Sequence, residues 1–88
     1  MKAIVTVIGK DSMGIVAGVA TKLAELELNI DDISQTVLDG YFTMMAVVSS
    51  DTKLDFTVLR NELEAHGAKL NVKINIQSAA IFDAMHNI

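Results

Sequence analysis

The residues of this chain equipped for chemistry gather at two places. One is the loop Gly9-Lys10-Asp11-Ser12-Met13-Gly14, and the other is Asn29, where a helix must stop and a strand begin. A carboxylate such as Asp11 accepts from an ammonium group, while the Asn29 amide donates to a carboxylate or accepts from an amine. A helix opening after Gly14 presents unpaired backbone N–H groups and the positive end of its dipole, a place for a carboxylate. Gly14 itself lets a ligand come close to the backbone. Partners for both an ammonium and a carboxylate suit a zwitterion. Each residue has a structural reading beside this one. Asp11 or Ser12 serves as a helix N-cap, Asn29 as a left-handed residue at a helix end, Gly14 as a site of tight helix-sheet packing, and Lys10 as a solvated loop lysine.

Other chemistries lack their residues. There is no cysteine to act as a nucleophile or to ligate zinc, and no Ser-His-Asp or paired-carboxylate spacing. His66 and His86 have no ligand-type partner three or four positions away. Asp31 and Asp32 are adjacent, so in a strand their carboxylates point to opposite faces and make a poor cation cage. The Gly9-to-Gly14 spacing lacks the Lys-Ser/Thr that follows the second glycine of a phosphate-binding loop. The sequence therefore calls for no cofactor and no metal.

The chain has 88 residues, enough for one domain spanning 1–88. A chain this short buries only about 60–65% of the surface its unfolded form exposes. With neither disulfides nor a structural metal, oligomerisation is the expected source of further burial, so the sequence reads as a homodimer or higher homo-oligomer. No apolar run approaches the ~20 residues that span a bilayer, and the N-terminus carries no apolar signal segment, which reads as cytoplasmic. A formal net charge of −4 without any Lys/Arg cluster excludes the electrostatic footprint of nucleic-acid or anionic-membrane binding.

The elements that must position the two polar groups follow from periodicity. Residues 2–8 (KAIVTVI) are β-branched and almost continuously apolar, as in a central strand. Ile15, Val16, Val19, Ala20, Leu23 and Leu26 recur at helical spacing. Residues 30–38 (IDDISQTVL) carry polar residues on both faces, which suits a sheet edge. Asp39-Gly40 predicts a type I′ hairpin into the apolar strand 42–48. Thr52 and Asp55 have capping-box spacing ahead of a second helix marked by Phe56, Leu59 and Leu63, with Gly67 as its stop. Residues 70–77 alternate as a strand with one dry face, and 78–88 carry Ile81, Phe82, Met85 and Ile88 as a short C-terminal helix would. The order is β-α-β-β-α-β, the ferredoxin-like α+β pattern: a four-stranded antiparallel sheet with two helices on one face and a tail helix. It leaves the other sheet face, with Ile4, Thr6 and Ile8, to be covered by the tail or by a second subunit.

The residues Gly9-Lys10-Asp11-x-x-Gly14-Ile15-Val16-Ala17, then Leu26-x-Leu28-Asn29-Ile30 and Asp32-Ile33-x-Gln35-Thr36, resemble the ACT domain family. The resemblance runs over the whole chain and is closest to the ACT domains of the glycine cleavage repressor and formyltetrahydrofolate deformylase. It implies the fold described above, dimers formed through edge strands, and small ligands, most often amino acids, bound at the subunit interface. It places ligand contacts on Gly9, Lys10, Asp11, Ser12 and Gly14 of the loop, and on Asn29 and Ile30 at the start of the second strand. Many amino-acid-binding members have proline and asparagine where this chain has Met13 and Asp11. The reading is thus a non-enzymatic regulatory module that senses an amino acid or related metabolite at a homodimer interface. The alternative is an interaction domain that docks on a partner enzyme without a ligand of its own.

Overall fold

In a computed structural model of the chain we describe residues 1–10, 14–53 and 55–80. The elements run β1 (Lys2–Gly9), α1 (Ile15–Glu25), β2 (Asn29–Leu38), β3 (Tyr41–Ser49), α2 (Phe56–Leu70) and β4 (Lys73–Ser78). They form the expected βαββαβ fold, with a four-stranded sheet in the order β2-β3-β1-β4 and every neighbouring pair antiparallel. The apolar strands β1 and β3 take the two central places, and the polar β2 lies at an edge. Of the tail helix expected over residues 78–88, Ser78 belongs to β4 and residues 81–88 lie outside the described residues.

One face of the sheet carries the core. Ala3, Val5 and Val7 of β1, Phe42, Met44, Ala46 and Val48 of β3, and Ile74 and Ile76 of β4 are all buried. Ile15, Val19 and Leu23 of α1 and Leu59 and Leu63 of α2 close over them. The same alternation sets the faces of β3: Phe42, Met44 and Ala46 point inward, while Thr43, Met45 and Val47 stand on the outer face. Asp39 and Gly40, both at positive φ, make the predicted hairpin turn.

Four local expectations are corrected. Asp55 does not complete a capping box begun by Thr52. It is itself the N-cap of α2, its carboxylate accepting from the Thr57 N–H at 2.8 Å. Gly67 does not stop that helix. It lies buried inside it, where a Cβ would sit 2.7 Å from the Val72 carbonyl oxygen, so glycine is needed for close packing of α2 on the chain entering β4. The stop is Asn71 at φ 59°, with the Val72 N–H donating to the Gly67 carbonyl and the Asn71 N–H to that of Ala68, the Schellman arrangement. At the end of α1 the left-handed residue is Glu27, not Asn29, with Leu28 donating to Leu23 and Glu27 to Ala24 in the same arrangement. Finally, Gly14 is not a packing glycine. A Cβ there would meet nothing within 4 Å, and the residue is required by its φ of 73° as the N-cap of α1.

Candidate functional site

The strand register fixes where each candidate residue lies. Gly9 is the last residue of β1 and stands opposite Phe42, at the end of the sheet that also holds the Asp39-Gly40 turn. Lys10 follows it, exposed, and Gly14 opens α1 from the same end. Gly9 is buried, and a Cβ on it would come within 2.5 Å of Val72 Cγ1, so this glycine keeps the root of the loop tight against the start of β4. Asp11 and Ser12 lie outside the described residues. The N-cap position belongs to Gly14, which has no side chain, so among the described residues no side-chain cap engages the N–H groups of the first turn of α1, and that turn contains no acidic residue. The N-terminal end of α1 therefore offers donors and a positive dipole end to an anion.

Asn29 and Ile30 lie at the opposite end. Asn29 stands opposite Ser49, which in its neighbouring pair lies level with Lys2, the first residue of β1. Seven strand positions separate this row from the row of Gly9, about 23 Å at the rise of a strand. Within one chain the two groups that sequence reasoning joined into one site are thus apart. Asn29 is exposed, and its Nδ2 donates to Asp31 Oδ1 at 2.8 Å. Ser49 Oγ donates to the same oxygen at 3.0 Å. Asp32 turns its carboxylate back to accept from the Ile33 N–H at 2.9 Å. The Asn29-Asp31-Ser49 cluster is polar and open to solvent, and it includes one residue, Ser49, that sequence reasoning passed over.

A β-bulge builds this cluster. Counting back from the hairpin turn would pair Ile30 with Ser49 and aim Asp31 at the core. A register shift between Ile30 and Asp32 instead leaves Asp31 as the extra residue, sets Ile30 opposite the buried Val48, and moves Asn29 opposite Ser49. The bulge thereby packs Ile30 against the core and keeps the carboxylate of Asp31 in water, where a charge costs least. It also explains why neither alternate set of the strand read as clean. No feature of the sequence marks a bulge directly, but an aspartate at what would be an inward position is the signal that could have raised it.

Beyond the bulge, every residue from Asp31 to Leu38 is exposed. Val37 and Leu38 are 67% and 74% exposed, and the stretch from Ile33 to Leu38 carries no charge. From Ile33 onward β2 is therefore an uncharged edge with free backbone hydrogen-bonding groups, the kind that natural proteins cover or pair. His66 has a structural place away from both ends: its Nε2 donates to the Gly18 carbonyl at 2.9 Å and ties α2 to α1. Lys22 joins the same two helices, donating to Glu62 at 2.9 Å with Glu25 at 3.8 Å. The Lys22 ammonium holds the Glu62 carboxyl below its ordinary range, and the hydrogen bond to Glu62 raises Lys22 in turn. Among the described residues, no three His, Cys, Asp or Glu side chains converge as a metal ion would need, and no helix is long and apolar enough to cross a membrane.

Comparison with known proteins places this geometry. A UPF0237 protein of Streptococcus pneumoniae is 80% identical over 88 residues, covering the whole of both chains. The solved structure of an ACT domain protein from Streptococcus pneumoniae matches 94% of each chain with a TM-score of 0.91 and 80% identity. More distant structures share the fold. They include a formyltetrahydrofolate deformylase of Burkholderia mallei, with 22% identity, a TM-score of 0.74, and 88% of this chain against 28% of that one. A candidate glycine cleavage system transcriptional repressor has 18% identity, a TM-score of 0.78, and coverage of 86% and 45%. The regulatory subunit of aspartate kinase from Thermus thermophilus, in its ligand-free form, has 27% identity, a TM-score of 0.66, and coverage of 86% and 50%. The ACT domain family profile matches residues 2–77. With nearly its whole length matched by that profile, and with the βαββαβ sheet that the two polar ends require, this chain belongs to the ACT domain family.

Proposed function

We propose that the chain is a stand-alone regulatory module, one domain over residues 1–88, that binds an amino acid or related metabolite at the interface of a cytoplasmic homodimer and performs no catalysis itself. The observation that carries the proposal is the placement of the two polar groups at opposite ends of a sheet whose β2 edge is bare. Two copies paired antiparallel through β2 would set the Asn29 end of one strand beside the Leu38 end of the other, and Leu38 lies at the same end as Gly9 and Gly14. Each site would then take its loop (Gly9, Lys10, Asp11, Ser12, Gly14) from one copy and Asn29 with Ile30 from the other. The N-terminus of α1 would receive the ligand carboxylate, and the carboxylates of Asp11 and Asp31 would lie toward its ammonium. Ligand and dimer would be linked, each stabilising the other. A regulatory role is in keeping with the aspartate kinase regulatory subunit, which shares the fold at 27% identity.

A thermal-shift screen against the twenty amino acids and folate-type metabolites, with mass followed by light scattering, tests this reading. A compound that raises the melting temperature of a dimer is the expected result. Asn29→Ala and Asp11→Ala should each abolish that rise. A mixture of the two variants should recover part of it, because each mixed dimer keeps one intact shared site. No stabilising compound on a stable dimer, or no recovery on mixing, would favour docking on a partner enzyme through β2 instead.

A further inference from the structure

The sheet ends on one side at β4, and a groove of about 330 Å³ runs along that edge, lined by Glu64 and Ala68 of α2 and by residues 71–75. Successive residues of a strand point to opposite faces, so a cavity that touches Lys73, Ile74 and Asn75 together follows the backbone edge rather than lying over a face. Among the described residues, nothing pairs with the outer edge of β4. Glu64 and Ala68, four positions apart, lie on one face of α2 and wall the groove on its inner side. The small side chain of Ala68 leaves room there, and Val72 and Ile74 continue its apolar surface. Around it stand two charges of opposite sign, the Glu64 carboxylate and the Lys73 ammonium. Among the described residues, no hydrogen bond or ion pair engages the side chains of Glu64, Asn71, Lys73 or Asn75. A bare strand edge beside a helix, with an apolar floor between them, is the setting in which an extended chain adds to a sheet.

We propose that this groove takes an extended peptide segment of a partner protein, which adds to β4 as a further antiparallel strand. A second copy of the chain does not fit the same edge. α2 rests on β4. Pairing two β4 edges at the strand spacing of about 4.8 Å would therefore bring two α2 helices to about that same separation, whereas packed helices stand about 8–10 Å apart. A lone strand brings no helix with it. Register and charge then set the sequence of the peptide. α2 runs into the Asn71 turn and β4 runs back from it, so Ala68 lies near Val72, and Glu64, one turn earlier, lies farther along β4. An antiparallel peptide thus passes Glu64 before Ala68. Its residue opposite Ile74 shares the inner face with Glu64, and a basic side chain there meets that carboxylate. The next residue, opposite Lys73, points to the outer face, where an acidic side chain makes an opposite-charge cross-strand pair. The third lies beside Val72 and Ala68 and is apolar. The groove therefore selects basic, acidic and apolar residues at three successive positions. β4 is the edge remote from β2, so this inference stands apart from the proposed ligand site.

Selection of a phage-displayed library of random heptapeptides on the full chain tests the proposal. Enriched peptides are expected to share the basic-acidic-apolar triplet. A synthetic copy of one should shift the backbone amide resonances of Glu64, Ala68 and residues 71–75 in the isotopically labelled chain. Exchanging the two charges, Glu64→Lys with Lys73→Glu, should weaken that peptide about tenfold, since two opposite-charge pairs become like-charge pairs. A fresh selection on the exchanged variant should return acidic-basic-apolar. Both side chains are exposed, so the exchange should leave the fold intact. Should circular dichroism show otherwise, Ala68→Gln in the parent chain, which fills the groove, is expected to weaken the peptide instead. Any of four results would overturn the proposal: no enrichment, a triplet unchanged on the exchanged variant, undiminished binding by Ala68→Gln, or shifts confined to β2 or to the loop after Gly9.

Discussion

Three glycines of this chain look alike in the sequence and differ in what they do. Gly14 is exposed and open around its Cα, and its constraint is φ alone. Gly67 has ordinary helical geometry, and its constraint is the carbonyl oxygen of Val72, 2.7 Å from where a Cβ would stand. Gly9 faces the flexible side chain of Val72 rather than backbone. The two kinds of constraint separate on substitution. Gly14→Ala should cost about 1 kcal/mol, the penalty of a side chain at positive φ. Gly67→Ala should cost about 1–3 kcal/mol, because backbone must move to relieve an overpacked contact. Chemical denaturation of both variants checks the order, which would reverse if Gly14 were a packing residue. At the same scale Asn29 is no longer an isolated amide. It is held by Asp31, whose carboxylate also takes the Ser49 hydroxyl. An Asp31→Asn change would therefore alter the orientation of Asn29 as well as the local charge.

Among the elements, α1 and α2 are tied by two polar contacts, His66 to the Gly18 carbonyl and Lys22 to Glu62. The carboxyl of Glu62 is held below its ordinary range by the Lys22 ammonium. A depressed carboxylate contributes stability above its unfolded-state pKa, and that contribution fades as pH falls through the lower folded-state value. Lys22 is shifted the other way, so its share is present at neutral pH and fades only at strongly alkaline pH. Both groups are at the surface, so the effect is small. The melting temperature of Glu62→Gln should lie slightly below that of the parent chain at neutral pH, and the gap should close in strong acid. A gap that persists in acid would mean that the substitution acts through packing. The element that departs most from its sequence reading is β2. Its alternation is interrupted by the bulge, and past Ile33 both of its faces and its outer edge are open.

For the whole molecule, the two edges of the sheet are unequal. β4 has six residues and opens on the charged Lys73, whereas β2 has ten and is uncharged from Ile33 onward. Edge pairing with a second copy is thus expected at β2, and charges on that edge should prevent it. A Val37→Lys, Leu38→Lys double variant should sediment as a monomer with an unchanged far-ultraviolet circular dichroism spectrum. It should also lose any ligand-induced rise in melting temperature while keeping Asn29 and the loop intact. A variant that remains dimeric would move the subunit contact to the outer face of the sheet.

The order of elements, the central places of β1 and β3, the hairpin at Asp39-Gly40 and the edge character of β2 were all legible in the sequence. These features rest on periodicity and turn chemistry, which are local properties that neighbouring residues specify among themselves. Both groups of candidate ligand residues were legible too, as residue types at defined places. Four things were not: that Gly67 packs rather than stops, that Glu27 and Asn71 turn the helix ends, that Asp31 is bulged out to bind Asn29 and Ser49, and that the loop and Asn29 lie at opposite ends of the sheet. Each of these depends on what a residue meets across a register or a layer, often tens of positions away. The sequence alone determined the order of the six described elements and which residue types stand at the two places proposed to bind. Only the tertiary structure decided their distance apart, because strand register, set by the packing of Ile30 on the core and the exclusion of a charge from it, assigns each residue to its face and its end.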